Sequence, residues 1–389
     1  MHFTHKAGLL TALLTCAGLA ALPAAAQTYT LTNLGTLGGT FSVGNGVNDA
    51  GQVAGAAYTT GNTVQHAFLS GANGGTLKDL GTLGTPGSKN SFGYRVNNAG
   101  QVTGFSITTG INVYHAFLSA ANGGALKDLG TLGGGTSAGF GVNAAGQVSG
   151  TSDLAGDNTE HAFLSGANGG TLKDLGTLGG SYSQGYGVND AGQVTGYAFT
   201  PGDNAFHAFL SGLDGGALQD LGTLGGIRSV GQAVNASGQV TGKSNITGST
   251  AYHAFLSGAN GGALTDLGTL GGTDSRGTHV NAFGQVIGYS DTTGNASQHA
   301  FLFAGGVMTD LNSLIAPGSG LTLTEAYGIS DTGFITGSGI NSLGQPEAFL
   351  LTPQAVPEAS STVSLGILLT LGIGGLLVSA RRRKASLPA

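Results

Sequence analysis

Six histidines and six aspartates recur along this chain at spacings that could do chemistry. His66 and Asp79, His115 and Asp128, His161 and Asp174, His207 and Asp220, and His253 and Asp266 each stand 13 residues apart, and His299 and Asp310 stand 11 apart. An imidazole beside a carboxylate is the pair from which general bases and oriented metal ligands are made. A catalytic site usually breaks a repeat's symmetry, whereas a latch is needed once in every repeat. The pairs are therefore expected to tie neighbouring strands together across a hairpin, with ring-wide metal binding as the alternative. A second cluster, Asp153, Asp157 and Glu160, lies in one short stretch. Hard oxygen ligands at that density could hold calcium, and two of them at the right separation could cleave a glycosidic bond. Their spacing is not that of a recognised calcium loop, so a solvated acidic loop is the expectation. The chain has no His-Glu-x-x-His and no glycine-rich loop leading into a helix, and its one Gly-x-Ser-x-Gly match, Gly135-Thr136-Ser137-Ala138-Gly139, has no helix expected after it.

The elements that carry these residues are repeated units. His-Ala-Phe-Leu begins at His66, His115, His161, His207, His253 and His299, at intervals of 49 and then, four times, 46 residues, and a degenerate copy starts at Glu347. Self-similarity at a fixed period of this length means an array of one supersecondary unit. In the copy from Phe92 to Gly133, the segments 92–97, 101–106, 115–119 and 126–132 read as short strands. Asn98-Ala99-Gly100 and Asn122-Gly123-Gly124 read as turns, and no window keeps a helical period. Four short antiparallel strands per unit predict an all-β, seven-bladed β-propeller of ~46-residue repeats. A parallel solenoid is the rival architecture. The seventh unit stops after Leu351, short of a fourth strand, while Tyr29 to Gly39 reads as a fourth strand with no unit before it. Pairing the two would close the last blade and remove two exposed sheet edges.

The chain has 75 glycines and no tryptophan, and its only cysteine, Cys16, lies near the N-terminus. Residues 1–26 have the form of a signal peptide: Lys6, an apolar run from Ala7 to Leu22, then Ala24-Ala25-Ala26 before Gln27. Cleavage there leaves no thiol for a disulfide or a metal; lipidation at Cys16 is the alternative. Residues 27–355 carry eight Lys or Arg against eighteen Asp or Glu, a formal charge of −10. That balance argues against nucleic-acid binding and against adhesion to anionic lipid.

At the other end, residues 353–360 are a linker that includes Val356, Pro357, Glu358 and Ala359. Residues 361–380 then run without a charge, and Arg381, Arg382, Arg383 and Lys384 open a basic tail over 381–389. Twenty helical residues at about 1.5 Å each cover roughly 30 Å, one hydrocarbon thickness, and the basic end would stay cytoplasmic. This layout resembles the PEP-CTERM sorting signal of Gram-negative bacteria. The resemblance implies an exosortase-type processing partner, a transmembrane helix in the inner membrane before processing, and delivery to the cell surface or matrix. Ala359 stands where the motif has its second proline, which puts processing in doubt, and a plain single-pass anchor is the alternative.

The recurring His-Ala-Phe-Leu, Asp-Leu-Gly and Val-Asn-x-x-Gly-Gln-Val sequences resemble the HAF family of bacterial extracellular repeat proteins, from about residue 29 to 351. The resemblance implies location and architecture, not a reaction. Within the propeller expected over 27–352, the connections between second and third strands vary most, and they carry Tyr58, Tyr114, Tyr197, Phe206, Tyr252 and Tyr289. Variable aromatic loops on a rigid scaffold suit sugars or a protein partner, though the same rings could instead pack between blades. The expectation is thus an exported, non-enzymatic propeller, with no cofactor, that binds exopolysaccharide or a surface protein. A glycan-active enzyme using Asp153 and Glu160 is the alternative.

Overall fold

The computed structural model describes residues 27–84, 90–108, 113–156 and 159–354. The expected signal peptide, the C-terminal helix, the sorting motif at 356–359, the basic residues 381–384 and Asp157 lie outside the described residues. Among the described residues, no helix is long and apolar enough to cross a membrane.

The described chain is all-β, with 28 strands and, as helix, only four short 3-10 turns. The strands form four-stranded antiparallel sheets; two of these, Ser183–Asp220 and Gly225–Asp266, are joined by one parallel bridge between Phe206 and Arg228. One repeat shows the pattern: Gly133–Val142, Val148–Leu154, Glu160–Ser165 and Leu172–Asp174 pair in that order. The fourth strands are shorter than the sequence suggested. Leu126–Asp128 stops where residues up to 132 were expected, because the Asp128 carboxylate accepts the Gly130 N–H at 2.8 Å and Gly130 turns to φ +68°. The Asn122-Gly123 turn holds both residues at positive φ, 52° and 61°, as an Asn-Gly hairpin turn requires.

The His-Ala-Phe-Leu strand is buried on both faces because each sheet is covered by its neighbours. Its Phe points one way and its Ala and Leu the other, following the two-residue period of a strand. Phe117 packs with Ala67 and Leu69 of the preceding repeat, and Phe163 packs with Ala116 and Leu118. Phe68 of the first repeat packs with Ala348 and Leu350 of the last, so the same contact joins the ends of the array. Every one of these phenylalanines, from Phe68 to Phe349, is fully buried. The second strand must then carry glycine opposite the ring. A Cβ on Gly150 would lie 2.0 Å from the Ala138 carbonyl oxygen and 2.6 Å from the Phe163 ring.

The expected closure is present. Tyr29–Gly35 pairs antiparallel with Pro346–Pro353, in register from Tyr29–Pro353 to Asn33–Phe349 and then, after a one-residue shift, at Gly35–Ala348, and it completes the sheet Leu321–Pro353 as its outer strand. Tyr29 is 5% exposed there, and burial raises its hydroxyl pKa to about 12.

Candidate functional site

The inner strand of every sheet carries a β-bulge just before its Val-Asn or equivalent turn, and these bulges build the site. Register slips by one residue at Asn45, Tyr94, Phe140, Tyr186, Gln232, Thr278 and Tyr327. A bulge leaves one residue unpaired and re-aims its side chain. All of these residues line a single cavity of about 320 Å³, joined by Arg95, Arg276 and Tyr289. The cavity is therefore a central channel, encircled by the first strands of all the repeats.

One mouth of the channel is made by the repeated Val-Asn turns. Asn48, Asn97, Asn143, Asn189 and Asn235 each donate Nδ2 to the backbone carbonyl of the next asparagine at 2.9–3.0 Å. Asn281 reaches Ser330 at 3.4 Å, and the Asp331 N–H donates to Asp49 Oδ1 at 3.0 Å where the last repeat meets the first. The asparagine side chain also accepts the N–H groups two and four residues on, as Asn143 does from Ala145 and Gln147. This rim is thus committed to holding the repeats together.

The other mouth widens into a funnel with unlike sides. On one side, aromatic rings run without a break over three repeats. Phe92 stacks on Phe105 at 4.7 Å, and Tyr114 lies 5.2 Å from Phe105. Tyr94 then meets Phe140 at 5.0 Å, Phe140 meets Tyr186 at 5.3 Å, and Tyr186 meets Tyr197 at 6.2 Å. Tyr197 and Phe206 end the row at 5.1 Å. These are the separations of favourable aromatic pairs, and the rings are half-buried. The facing side is polar: Lys243 Nζ sits 4.5 Å above the Tyr252 ring, and Arg276 Nη1 donates to the Tyr289 hydroxyl at 3.3 Å. Burial lowers the Lys243 pKa, with the Arg276 charge adding to it.

The aromatics expected on loops all belong to strands. Tyr58 is in Val53–Thr59, Tyr114 opens Tyr114–Ser119, Tyr197 is in Val194–Phe199, Phe206 opens Phe206–Ser211, Tyr252 opens Tyr252–Ser257 and Tyr289 is in Val286–Thr292. Pairing between second and third strands continues further than their sequence suggested, as in Ile107 with Tyr114, which turns the rings from loop tips into wall. Tyr58 stands apart from the row, edge-on to Phe41 at 5.6 Å.

Asp153 and Glu160 do not lie in a solvated loop. Asp153 and Glu160 face one another as strand partners. Asp153 Oδ2 accepts the Thr136 N–H and hydroxyl at 2.9 and 2.8 Å. Glu160 Oε2 accepts from Tyr182 at 2.5 Å, Gln184 at 2.9 Å and Thr151 at 3.2 Å. Burial and this bond push the Tyr182 hydroxyl pKa far up. Among the described residues, no three His, Cys, Asp or Glu come together as a metal would need.

The structure brings each His–Asp pair together at the outer edge of its sheet. Nδ1 lies 2.8–2.9 Å from a carboxylate oxygen in the pairs His66–Asp79, His115–Asp128, His161–Asp174, His207–Asp220 and His253–Asp266, and 2.6 Å in His299–Asp310. The pair belongs to a longer circuit. Asp174 Oδ1 also accepts the Gly176 N–H at 2.8 Å. The Gly176 carbonyl accepts from Ser183 of the next repeat at 2.6 Å, and Ser183 accepts the Ala162 N–H at 2.9 Å.

The bulge residues were missed in the sequence, although it carries a sign of them. Gly44-Asn45-Gly46, Gly139-Phe140-Gly141 and Gly185-Tyr186-Gly187 precede the Val-Asn turn; glycines around one variable residue in a strand mark a bulge. In two repeats the second small residue is replaced, by Arg95 and His279. The Arg95 guanidinium spans the channel, donating to the carbonyls of Asn45 and, at 3.4 Å, Thr278; burial lowers its pKa to about 10. Burial, then the Arg95 charge, lowers the His279 pKa to about 3.

This architecture is that of a β-propeller-like repeat protein. No family model matches the chain, and no curated protein matches it in sequence. Among solved structures it is similar to one from an analysis of two prolyl endopeptidases, at 10% identity and TM-score 0.51, over 84% of this chain and 52% of that one. TolB from Acinetobacter baumannii matches at 11% identity and TM-score 0.40, over 78% of this chain and 64% of that one. The β-propeller domain of the Trilobed protease from Pyrococcus furiosus matches at 10% identity and TM-score 0.45, over 68% and 82%. The chain thus spans under two-thirds of the length of TolB and about half that of the prolyl endopeptidase structure, and at these identities the likeness concerns the fold alone.

Proposed function

We propose that this chain is an exported, seven-bladed β-propeller that binds a carbohydrate polymer, without catalysing a reaction, through the aromatic funnel of its central channel. The blade count takes the two bridged sheets separately, as their single bridge suggests. The observation that carries the binding reading is the unbroken row from Phe92 to Phe206. Such a surface presents ring faces and tyrosine hydroxyls together, the combination that suits the alternating apolar faces and hydroxyls of sugars. The glycan-active alternative is not favoured, because Asp153 Oδ2 and Glu160 Oε2 are each held by hydrogen bonds within the propeller wall.

The ligand in this reading is exopolysaccharide at the cell surface or in the matrix of a Gram-negative bacterium. Delivery rests on the tripartite C-terminal sequence and an exosortase-type enzyme. Retention of the full chain on immobilised polysaccharide from the source organism tests the binding. Tyr114→Ser with Phe206→Ser should weaken it at least tenfold, or about 1.4 kcal/mol; unchanged retention refutes the funnel as the site. Intact mass of the secreted protein tests the delivery: a chain ending near Val356–Ala359 supports sorting, and one that keeps Arg381–Lys384 supports a membrane tether.

A further inference from the structure

We infer that the throat of the channel is a carboxylate site, and that it holds the uronic acid unit of an acidic sugar with Arg276 as its anchor. The inference deepens the carbohydrate-binding reading above and rests on it.

Three buried polar atoms without a hydrogen-bond partner point to the throat: Gln232 Nε2, Arg276 Nε and His279 Nδ1. Native proteins satisfy nearly all such groups, and leaving one bare costs about 1–3 kcal/mol. Gln232 and Arg276 line the cavity between the bulges, and His279 lines the adjoining cavity on the asparagine side with Arg95. Two bare donors on one hollow, Gln232 Nε2 and Arg276 Nε, describe a site prepared for an acceptor.

The charge distribution selects an anion. No Asp or Glu lines the central cavity, but two arginines do. Among the described residues every ion pair is a His–Asp pair, so neither arginine is neutralised by a carboxylate. Glu325, in the neighbouring hollow, is held by Gln298 at 2.9 Å and by the Tyr327 hydroxyl. Two unpaired cations here run against the chain's formal net charge of −6.

Geometry then selects a carboxylate on a ring. Tyr289 holds one side of the Arg276 guanidinium and leaves the Nε edge free, and such an edge matches a planar carboxylate. Tyr94, Phe140 and Tyr186 wall the cavity with aromatic surface. At about 320 Å³ it falls at the small end of ligand pockets, roughly 300–1,000 Å³, which limits the occupant to one sugar unit. Nor does the fold need these side chains. Val43, Ala138 and Val230 hold the place of Arg276 in other repeats, and Phe140 and Tyr186 hold that of Gln232.

The test is calorimetric titration of the full chain, in detergent micelles, with sodium glucuronate, glucose and inorganic phosphate. Arg276→Val and Gln232→Phe, both borrowed from sister repeats, are compared with wild type, and melting temperatures confirm folding. The expected result is glucuronate binding at least tenfold tighter than glucose or phosphate, weakened at least tenfold by Arg276→Val and to a smaller degree by Gln232→Phe. Equal binding of glucose, equal binding of phosphate, or glucuronate affinity unchanged in both variants overturns the inference. If glucuronate does not bind while polysaccharide retention still depends on Tyr114 and Phe206, the carboxylate site alone is refuted. Loss of that dependence as well refutes the funnel reading with it.

Discussion

Replacing the repeated histidines one at a time, and then together, should separate a latch from a site. In His161→Ala, a half-buried imidazole whose side chain is 17% exposed is lost, along with its bond to Asp174, whose side chain is 41% exposed. A pair so open to solvent is worth about 0.2–1 kcal/mol. Asp174→Ala also strips the acceptor from the Gly176 N–H, a further bond worth about 1 kcal/mol. The aspartate variant should therefore be the less stable of the two, at about 1–2 kcal/mol below wild type. The pairs lie in different sheets and share no partner, so their effects should add. Removing all six histidines should cost about 1–6 kcal/mol, against the 5–15 kcal/mol that holds a typical domain together. Guanidinium unfolding of the full chain, with and without EDTA, reads both quantities. The reasoning fails if one histidine costs more than about 4 kcal/mol while its sisters cost nothing, since a latch has no privileged copy. It fails equally if EDTA alone moves the wild-type midpoint as far as the sixfold variant, which would make the histidines metal ligands.

Three further outcomes follow from the packing and from one buried imidazole. Phe163→Ala should lose about 3–5 kcal/mol on chemical unfolding, whereas Phe283→Ala, at a position 75% exposed, should stay within about 0.5 kcal/mol of wild type. Gly150→Ala should cost about 3 kcal/mol despite adding one methyl, because the backbone oxygen of Ala138 occupies the place of that methyl; a neutral result in the same assay would mean the inner strands can part. His279 has a folded pKa of about 3 against an ordinary 6.5. Above pH 6.5 the ring is neutral in both states and stability is full. Below it the unfolded chain takes up a proton that the folded chain refuses, so stability falls as pH drops from 6.5 towards 3. Thermal melts of His279→Ala, a change that Ala233 accommodates at the matching position, should show a shallower acid decline than wild type over that window.

The repeat arithmetic made the all-β array legible, and the orphan strand at Tyr29 made its closure legible, because both are patterns of period and register. His-Ala-Phe-Leu spells its own packing: alternation sends Phe117 towards one neighbour and Ala116 with Leu118 towards the other. The His–Asp spacing likewise placed partners that do meet. The acidic cluster and the aromatic rim were read less well, for a shared reason. Second and third strands in each repeat pair up to their joining turn, and a strand that ends in Tyr, Asp or Glu looks in sequence like the start of a polar loop. What pulled Asp153 and Glu160 into the sheet is the company they keep, Thr136 on the adjacent inner strand and Tyr182 just ahead of the next one, which no spacing announces.

The channel was hidden for a different reason, and the reason bears on how such an array acquires a function. Everything that recurs here serves assembly: the phenylalanine, the glycine beneath it, the asparagine ring, the histidine latch. A binding site cannot be built from those positions without loosening every repeat. The bulge before each Val-Asn turn leaves one side chain of the inner strand out of the pairing and turned to the channel, so it can vary with little cost to the stack. Its seven occupants are Asn, Tyr, Phe, Tyr, Gln, Thr and Tyr, a diversity that no core position matches, and beside them Arg95 and His279 replace glycine or alanine in just two copies. Symmetry supplies the scaffold and its breaking supplies the chemistry. The residues that depart from the repeat at the channel wall, rather than those that define it, are therefore the ones whose exchange should alter binding while leaving the melting curve in place.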